Sequence, residues 1–534
     1  MEVFQAGAAG DLAKATRLAV EADRSGVRHP MILHLVAEDL RSRGMAEAAA
    51  GKLNQALRLA PGHPGLSESL GHVHFAAGRW PDALQAYGIA LKSGEGRISS
   101  RIGAAHCLVN MAQFEGAEVQ VGHVLKQAPD NADALAILAL VRLRAFRREE
   151  ARDLALQALG SAPQHVGALI ALSQAAFQLN DFEQAQAAAR DAARLSGEMV
   201  QSNALISLGD ALHALGRYDE AFTAWRQGKS VLHELFAPRF AAAGVERASD
   251  RARRIEKAVR AADRSCWAAH GVEGDSPARG LAFLVGFPRS GTTLLEQVLG
   301  AHPDVVAIDE QPTLVDIEGR YLDAPGGFDD LINATEETLA ALRGEYWKRL
   351  EDLGAEVRGK VVIDKLPLRT LSLPVVVKLF PQAKILFAIR DPRDVVLGCF
   401  RRMFGMNSGM YEFTDLNDTA RFYDSVMTLA ARCMDALPMD LRLTRHERLV
   451  SDFEAETRGI LEWLGLEWRT EVTGFADAVA AAPVNTPSSS QIVRGLNRSG
   501  FGQWRHYEQH MGEVLPVLDR WVQAWGYRAD ALSA

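Results

Sequence analysis

The sequence predicts two architectures in one chain: an all-α superhelix of stacked helical pairs, then an α/β domain built on a parallel sheet. Three observations carry this reading. Alanines recur at a fixed step through the first half, short apolar runs alternate with helical stretches through the second, and a charged stretch ending in a glycine- and proline-bearing linker lies between them. At 534 residues the chain also exceeds what one hydrophobic core organises.

The first half sets its own period. Ala15, Ala49, Ala83, Ala117, Ala151 and Ala185 are each 34 residues apart, and Ala22, Ala56, Ala90, Val124, Ala158 and Ala192 follow in step. Pro61, Pro129 and Pro163 mark repeat ends in the same register. A further unit, LGDALHALGRYDEAFTAW, places Ala221 two residues late, so a short insertion precedes it. Small side chains at fixed positions let one helix approach its neighbours closely, and no pair buries its apolar face without stacking on the next. An ordinary alanine-rich bundle has no reason to keep six alanines in register. In the unit LGHVHFAAGRWPDALQAYGIAL, Gly71, Ala83, Tyr87 and Ala90 have the spacing of a tetratricopeptide repeat (TPR), which this region resembles. The expected array covers residues 1–236. Its concave surface suits a peptide, a partner protein or self-association into a homo-oligomer.

Register is lost beyond Phe236. RASDRARRIEKAVRAADRSCWAAH reads as a charged amphipathic helix and GVEGDSPARG as a linker, so residues 237–279 are expected to connect the array to a domain over 280–534.

Composition narrows the function. The chain is 48% hydrophobic and 24% charged, ordinary for a folded globular protein. A net charge of −8 argues against a nucleic-acid coat. The start lacks the features of a secretory signal, and no apolar stretch is long enough for a membrane span. Four cysteines, Cys107, Cys266, Cys399 and Cys433, lie far apart without metal-ligand spacing, so no metal is expected. A reducing cytoplasm is the expected compartment.

In the second half, LAFLVGF (281–287), VVID (361–364), KILFAIR (384–390) and LRLTRHE (441–447) read as strands, with helical segments between them. In such sheets ligands sit beyond the carboxyl ends of strands, so the residues just after each strand carry the information. After the first strand comes GFPRSGTT (286–293), which turns directly into the helical TTLLEQVLGAH. Its exposed amides and the positive end of the helix suit a phosphate. Gly286 and Gly291 have the spacing of a Walker loop, but Thr292 stands where the lysine belongs, and Arg289 brings the positive charge from inside the loop. That substitution speaks against a P-loop kinase.

PRSGTT followed by LLEQVLGAHPDV resembles the phosphosulfate loop of sulfotransferases that use 3′-phosphoadenosine 5′-phosphosulfate (PAPS), especially the tyrosylprotein sulfotransferase branch. The resemblance covers about residues 280–527. It implies a P-loop-like α/β fold, PAPS as co-substrate, and 5′ contacts from Arg289, Ser290, Gly291, Thr292 and Thr293. RDPRDVVLGCFRR is similar to the family's 3′-phosphate segment, which gives that role to Arg390 and a second basic contact to Arg402. Gly398 stands where the family has a serine, so one hydroxyl contact is missing or supplied by a neighbour such as Arg393.

Sulfuryl transfer needs a base for the acceptor hydroxyl and positive charge for the leaving phosphate. AHPDVVAIDEQ offers Asp309 and Glu310; the resemblance makes Glu310 the base, with Asp309 second. In DKLP it makes Lys365 the group on the bridging oxygen, a contact that suits a compact ammonium. The late segment SSSQIVRGLNRSGFGQWRHYEQH is similar to the family's donor-covering loop, which nominates Ser488, Arg494 and Trp504. Trp504 fits core packing equally well. Gln503 replaces a frequent arginine, and His446 stands where the tyrosylprotein branch has tyrosine. The resemblance thus implies transfer from PAPS to a hydroxyl, on a protein or peptide with tyrosine favoured. A carbohydrate or lipid hydroxyl stays open, as does a TPR scaffold with an inactive transferase domain.

Overall fold

The computed structural model describes residues 2–92, 97–267, 276–475, 496, 498 and 500–527. They divide into two compact units, residues 1–196 and 197–534. The N-terminal unit consists of antiparallel helical pairs, from Glu2–Ala8 with Leu12–Arg24 to Val166–Gln178 with Phe182–Leu195.

The 34-residue step is visible as chemistry at two points of each pair. All six alanines of the series, from Ala15 to Ala185, have no exposed surface, so the small side chain is what lets the second helix approach its neighbours. At the start of the first helix, the side chains of His29, His63, Asn131 and His165, spaced by multiples of 34, each accept a hydrogen bond from an amide two or three residues on. These are N-caps, each satisfying one of the amides that a helix start leaves without a partner. Tyr87 fills the gap between successive pairs. A Cβ added at Gly71 would lie 2.5 Å from its ring, and one at Gly103 would lie 2.4 Å from it.

The second unit opens with another helical hairpin, Glu198–Ala214 and Tyr218–Phe240. Its first helix has 17 residues, against 13 in the corresponding helix of the preceding pair, so the late Ala221 marks the change of unit. The helix Ala248–Ala261 follows and is fastened to the second unit by ion pairs: Arg247 with Glu412 and Asp418, and Glu256 with Arg432 at 3.3 Å.

The five-stranded sheet comprises β1 (Gly280–Gly286), β2 (Val305–Asp309), β3 (Val361–Lys365), β4 (Lys384–Ile389) and β5 (Asp440–Arg445). All pairs are parallel, in the order β2-β3-β1-β4-β5. The central strands β3, β1 and β4 are largely buried on both faces because both are covered. Ala282, Leu284, Ile363 and Leu386 pack with Leu295, Val298 and Leu299 of the helix after β1 and with Ile460 and Leu461. On the opposite face Phe283 meets Tyr346 and Phe380, with ring centroids 6.2 and 5.9 Å away. From β1 the chain moves toward the β2 side, and from β4 toward the β5 side. The topological switch therefore lies between β1 and β4, where ligands of such sheets bind. No helix among the described residues is long and apolar enough to cross a membrane.

The tyrosine between the two glycines gives a stability test. Gly103→Val should destabilise the repeat unit by about 2 kcal/mol through overpacking. Most of that loss should vanish in the double variant with Tyr87→Ala, as read from denaturant midpoints of the two singles and the double.

Candidate functional site

The loop after β1 is built to expose amides. Gly291 caps the following helix (Thr292–Gly300) in the left-handed region at φ 93°, and no side chain takes the first amides of that helix. A Cβ at Gly291 would also lie 2.4 Å from His446 Nδ1, so both backbone angle and space demand glycine. Arg289 holds φ 71° without being glycine, a strained conformation of the kind that clusters at ligand sites. Ser290, Thr292 and Thr293 are buried beside it.

Across the switch point, β4 ends at Ile389 and delivers Arg390. Its guanidinium donates to the carbonyls of Arg289, at 3.3 Å, and Gly500. The helix Pro392–Phe400 then carries the chain to Arg401 and Arg402. Arg289, Arg390, Arg401 and Arg402 act on one another electrostatically. Burial and the other three guanidinium groups pull Arg289 down to about 9, and burial with Arg402 pulls Arg401 to about 10. The Nε atoms of Arg390, Arg401 and Arg402, and Nη1 of Arg401, are buried without a hydrogen-bond partner. Buried donors left unsatisfied beside like charges cost free energy, and a multiply charged anion offsets both terms. His446 belongs to the same corner. Burial and Arg390 with Arg289 hold it well below the usual imidazole value, so it stays neutral, with Nδ1 buried and unpartnered.

The helical hairpin at the start of the second unit braces these arginines. Asp210 accepts from Arg402 Nη1 at 2.8 Å, and Lys229 donates to the Arg402 carbonyl at 2.6 Å. The Arg401 guanidinium lies 5.6 Å from the ring centroid of the buried Trp225, and His213 Nδ1 is 2.6 Å from the Tyr507 hydroxyl. Arg401 and Asp210 were missed from sequence. Arg401 sits beside the arginine that matched a motif, and Asp210 lies 192 residues upstream of its partner in a helix that reads as one more repeat.

Gly398 has a local explanation. A Cβ there would lie 3.4 Å from Arg289 Cβ and 3.5 Å from its Cγ, so the arginine stem occupies the space beside it. Arg393, beside the same helix start, is engaged within the fold. Its guanidinium is committed to Asp391 at 2.9 and 2.6 Å and lies 4.1 Å from the ring centroid of Trp504. Trp504 is buried, and its amide and that of Gly502 both donate to Asp394, at 2.9 and 2.7 Å. These contacts fasten the late segment to the arginine-bearing helix. Ser488 and Arg494 lie outside the described residues.

Beyond β2 and β3 a second constellation forms. Lys365 Nζ has no exposed surface and contacts three carboxylates: Asp309, Glu310 Oε1 at 2.9 Å and Glu296 Oε2 at 3.2 Å. Burial draws its pKa down, but the three carboxylates outweigh that and raise it, so the ammonium stays charged. Glu310 holds φ 47°, and its amide donates to the Lys365 carbonyl at 2.8 Å, which ties the two strand ends together. The side chains of Asp309 and Glu310 are 37% and 44% exposed, so one carboxylate pair faces outward over a buried cation. Among the described residues no group of three or more metal-ligating side chains is suited to a metal.

Residues 282–470 match the model described as the sulfotransferase family, and residues 37–98 and 170–227 match tetratricopeptide repeat models. An uncharacterised protein of Aquifex aeolicus is 27% identical over 251 residues, 45% of this chain and 32% of that protein. The zebrafish (Danio rerio) protein-tyrosine sulfotransferase 1 is 25% identical over 264 residues, 45% of this chain and 71% of the relative. The chain thus spans about a third of the first relative's length. Among solved structures, a tetratricopeptide repeat protein from Parabacteroides merdae shows a TM-score of 0.31 at 16% identity, over 40% of this chain and 87% of that one.

The brace predicts where the chain tolerates truncation. Residues 197–534 should melt cooperatively, whereas residues 237–534 should not, having lost Asp210, Trp225 and Lys229 together. Thermal unfolding followed by circular dichroism distinguishes the two fragments.

Proposed function

We propose that this chain, a tetratricopeptide-bearing member of the sulfotransferase family, transfers a sulfuryl group from PAPS to an acceptor hydroxyl. The single observation that carries the donor is the corner of Arg289, Arg390, Arg401 and Arg402, whose charges repel and in which buried N–H groups of Arg390, Arg401 and Arg402 lack partners. A nucleotide with phosphates at both 3′ and 5′ positions supplies the charge this corner lacks. The 5′ phosphosulfate belongs at Arg289, Ser290, Gly291, Thr292 and Thr293, where the loop offers amides and the helix its positive end. The 3′ phosphate belongs at Arg390, with Arg402 behind it.

In the proposed reaction the acceptor oxygen attacks sulfur as the bond from sulfur to the bridging phosphate oxygen breaks. The outward Glu310 carboxylate takes the hydroxyl proton. Lys365 neutralises the charge that appears on the leaving oxygen, and PAP, the 3′,5′-bisphosphate product, departs. Buried positive charge placed in advance costs no reorganisation at the moment of transfer, which is why Lys365 is held by carboxylates beforehand. The favoured acceptor is a protein or peptide hydroxyl, tyrosine first, because the aligned relatives include protein-tyrosine sulfotransferases and the repeats suit a polypeptide. Incubation of the protein with sulfur-labelled PAPS and cell extract tests this reading. Label entering protein supports it, and label entering glycan or lipid replaces the acceptor class.

Two substitutions separate binding from transfer. Arg390→Ala should weaken PAP by about 10- to 100-fold, the cost of one charge-assisted contact, while an adenine nucleotide with only a 5′ phosphate changes by less than about threefold. Glu310→Gln should slow transfer by at least about 100-fold with PAP affinity preserved. Calorimetry measures the affinities, and release of labelled product measures the rate.

A further inference from the structure

Glu296 has no role in the account above, yet it is the most deeply placed of the three carboxylates around Lys365. Its side chain is 2% exposed, against 37% and 44% for Asp309 and Glu310. It lies in the helix that begins at the anion loop, so it links that loop to the ends of β2 and β3. Lys365 donates hydrogen bonds to Asp309 and Glu310. Glu296 Oε2 is 3.2 Å from the ammonium, a longer contact than the 2.9 Å to Glu310.

That arrangement puts the ammonium's longest contact on the buried carboxylate and leaves one carboxylate more than its charge and the exposed pair require. Three carboxylates around one cation carry two uncompensated negative charges, an unfavourable surrounding for an incoming polyanion. The exposed pair is hydrated, so the proton that relieves the excess goes to the buried member. We propose that Glu296 is a positioning residue for Lys365, taking up a proton as the donor enters and thereby leaving the third ammonium N–H free for the donor. The inference rests on the sulfuryl-transfer reading. The proton comes from solvent and adds to one Glu296 oxygen; no bond in donor or acceptor changes.

The electrostatics have the right sign. Burial raises Glu296, Lys365 lowers it through its charge and a hydrogen bond, and Asp309 and Glu310 raise it, bringing it up to about 7. Those three are the charged groups that act on it. Near neutral pH the carboxyl is therefore partly protonated, and an added anion raises its affinity for the proton further. Well below pH 7 it already carries the proton, so nothing is left to take up.

Calorimetry of PAP binding in buffers of different ionisation enthalpy reads this directly, using the full-length protein. Near and just above pH 7 the wild type should take up more protons than Glu296→Gln, and the difference should vanish near pH 5. Glu296→Asp, which keeps the acid with a shorter reach, should retain the uptake, and it serves as the readout if the Gln variant does not fold. Equal proton uptake by wild type and Glu296→Gln across this range, or loss of uptake in Glu296→Asp, overturns the role of Glu296 and leaves the donor reading intact. Failure of the wild type to bind PAP overturns the donor reading, and this inference with it.

Discussion

Four guanidinium groups in one corner, Arg401 buried and the others half-buried, are the constraint around which the second unit is arranged. Such a cluster is unstable on its own terms, since burial and mutual repulsion both oppose it. The fold keeps it by bracing each member differently. The stem of Arg289 lies along Gly398, Arg390 is held by two carbonyls, Arg401 lies near Trp225, and Arg402 is paired with Asp210. Two of these braces come from a hairpin shaped like a repeat. A repeat-like hairpin and the arginine corner therefore belong to one compact unit, and the change of unit after residue 196 falls where the alanine spacing slips.

How much the sequence revealed follows from how local each signal is. The strand ends and the anion loop are encoded by contiguous residues, so GFPRSGTT, DKLP and RDPR read correctly as strand-to-loop junctions. The repeats were legible because alanine is needed wherever one helix approaches its neighbour, and that need returns every 34 residues. Glu296 was hidden for the opposite reason. Within TTLLEQVLG it looks like an ordinary polar helix position, and only the parallel register, which sets Asp309 opposite Lys365, shows that it lies beneath a cation. Asp210 carried no local signal at all.

The two constellations divide the work by chemistry. The arginine corner is made of planar guanidinium groups that are charged at neutral pH and suited to phosphate. The group beyond β2 and β3 combines one ammonium with three carboxylates of unequal exposure, which suits proton transfer and local charge balance. Both sit at the carboxyl ends of one sheet, where ligands of parallel α/β sheets bind.

The central claim is that the corner recognises a nucleotide with phosphates on both sides of the ribose. Competition calorimetry of PAP against ADP tests it most directly, because the two differ in where the second phosphate sits. The account predicts that PAP binds at least about tenfold more tightly than ADP, a difference of roughly 1.4 kcal/mol, and that its affinity falls as salt rises. Equal or tighter binding of ADP would contradict it.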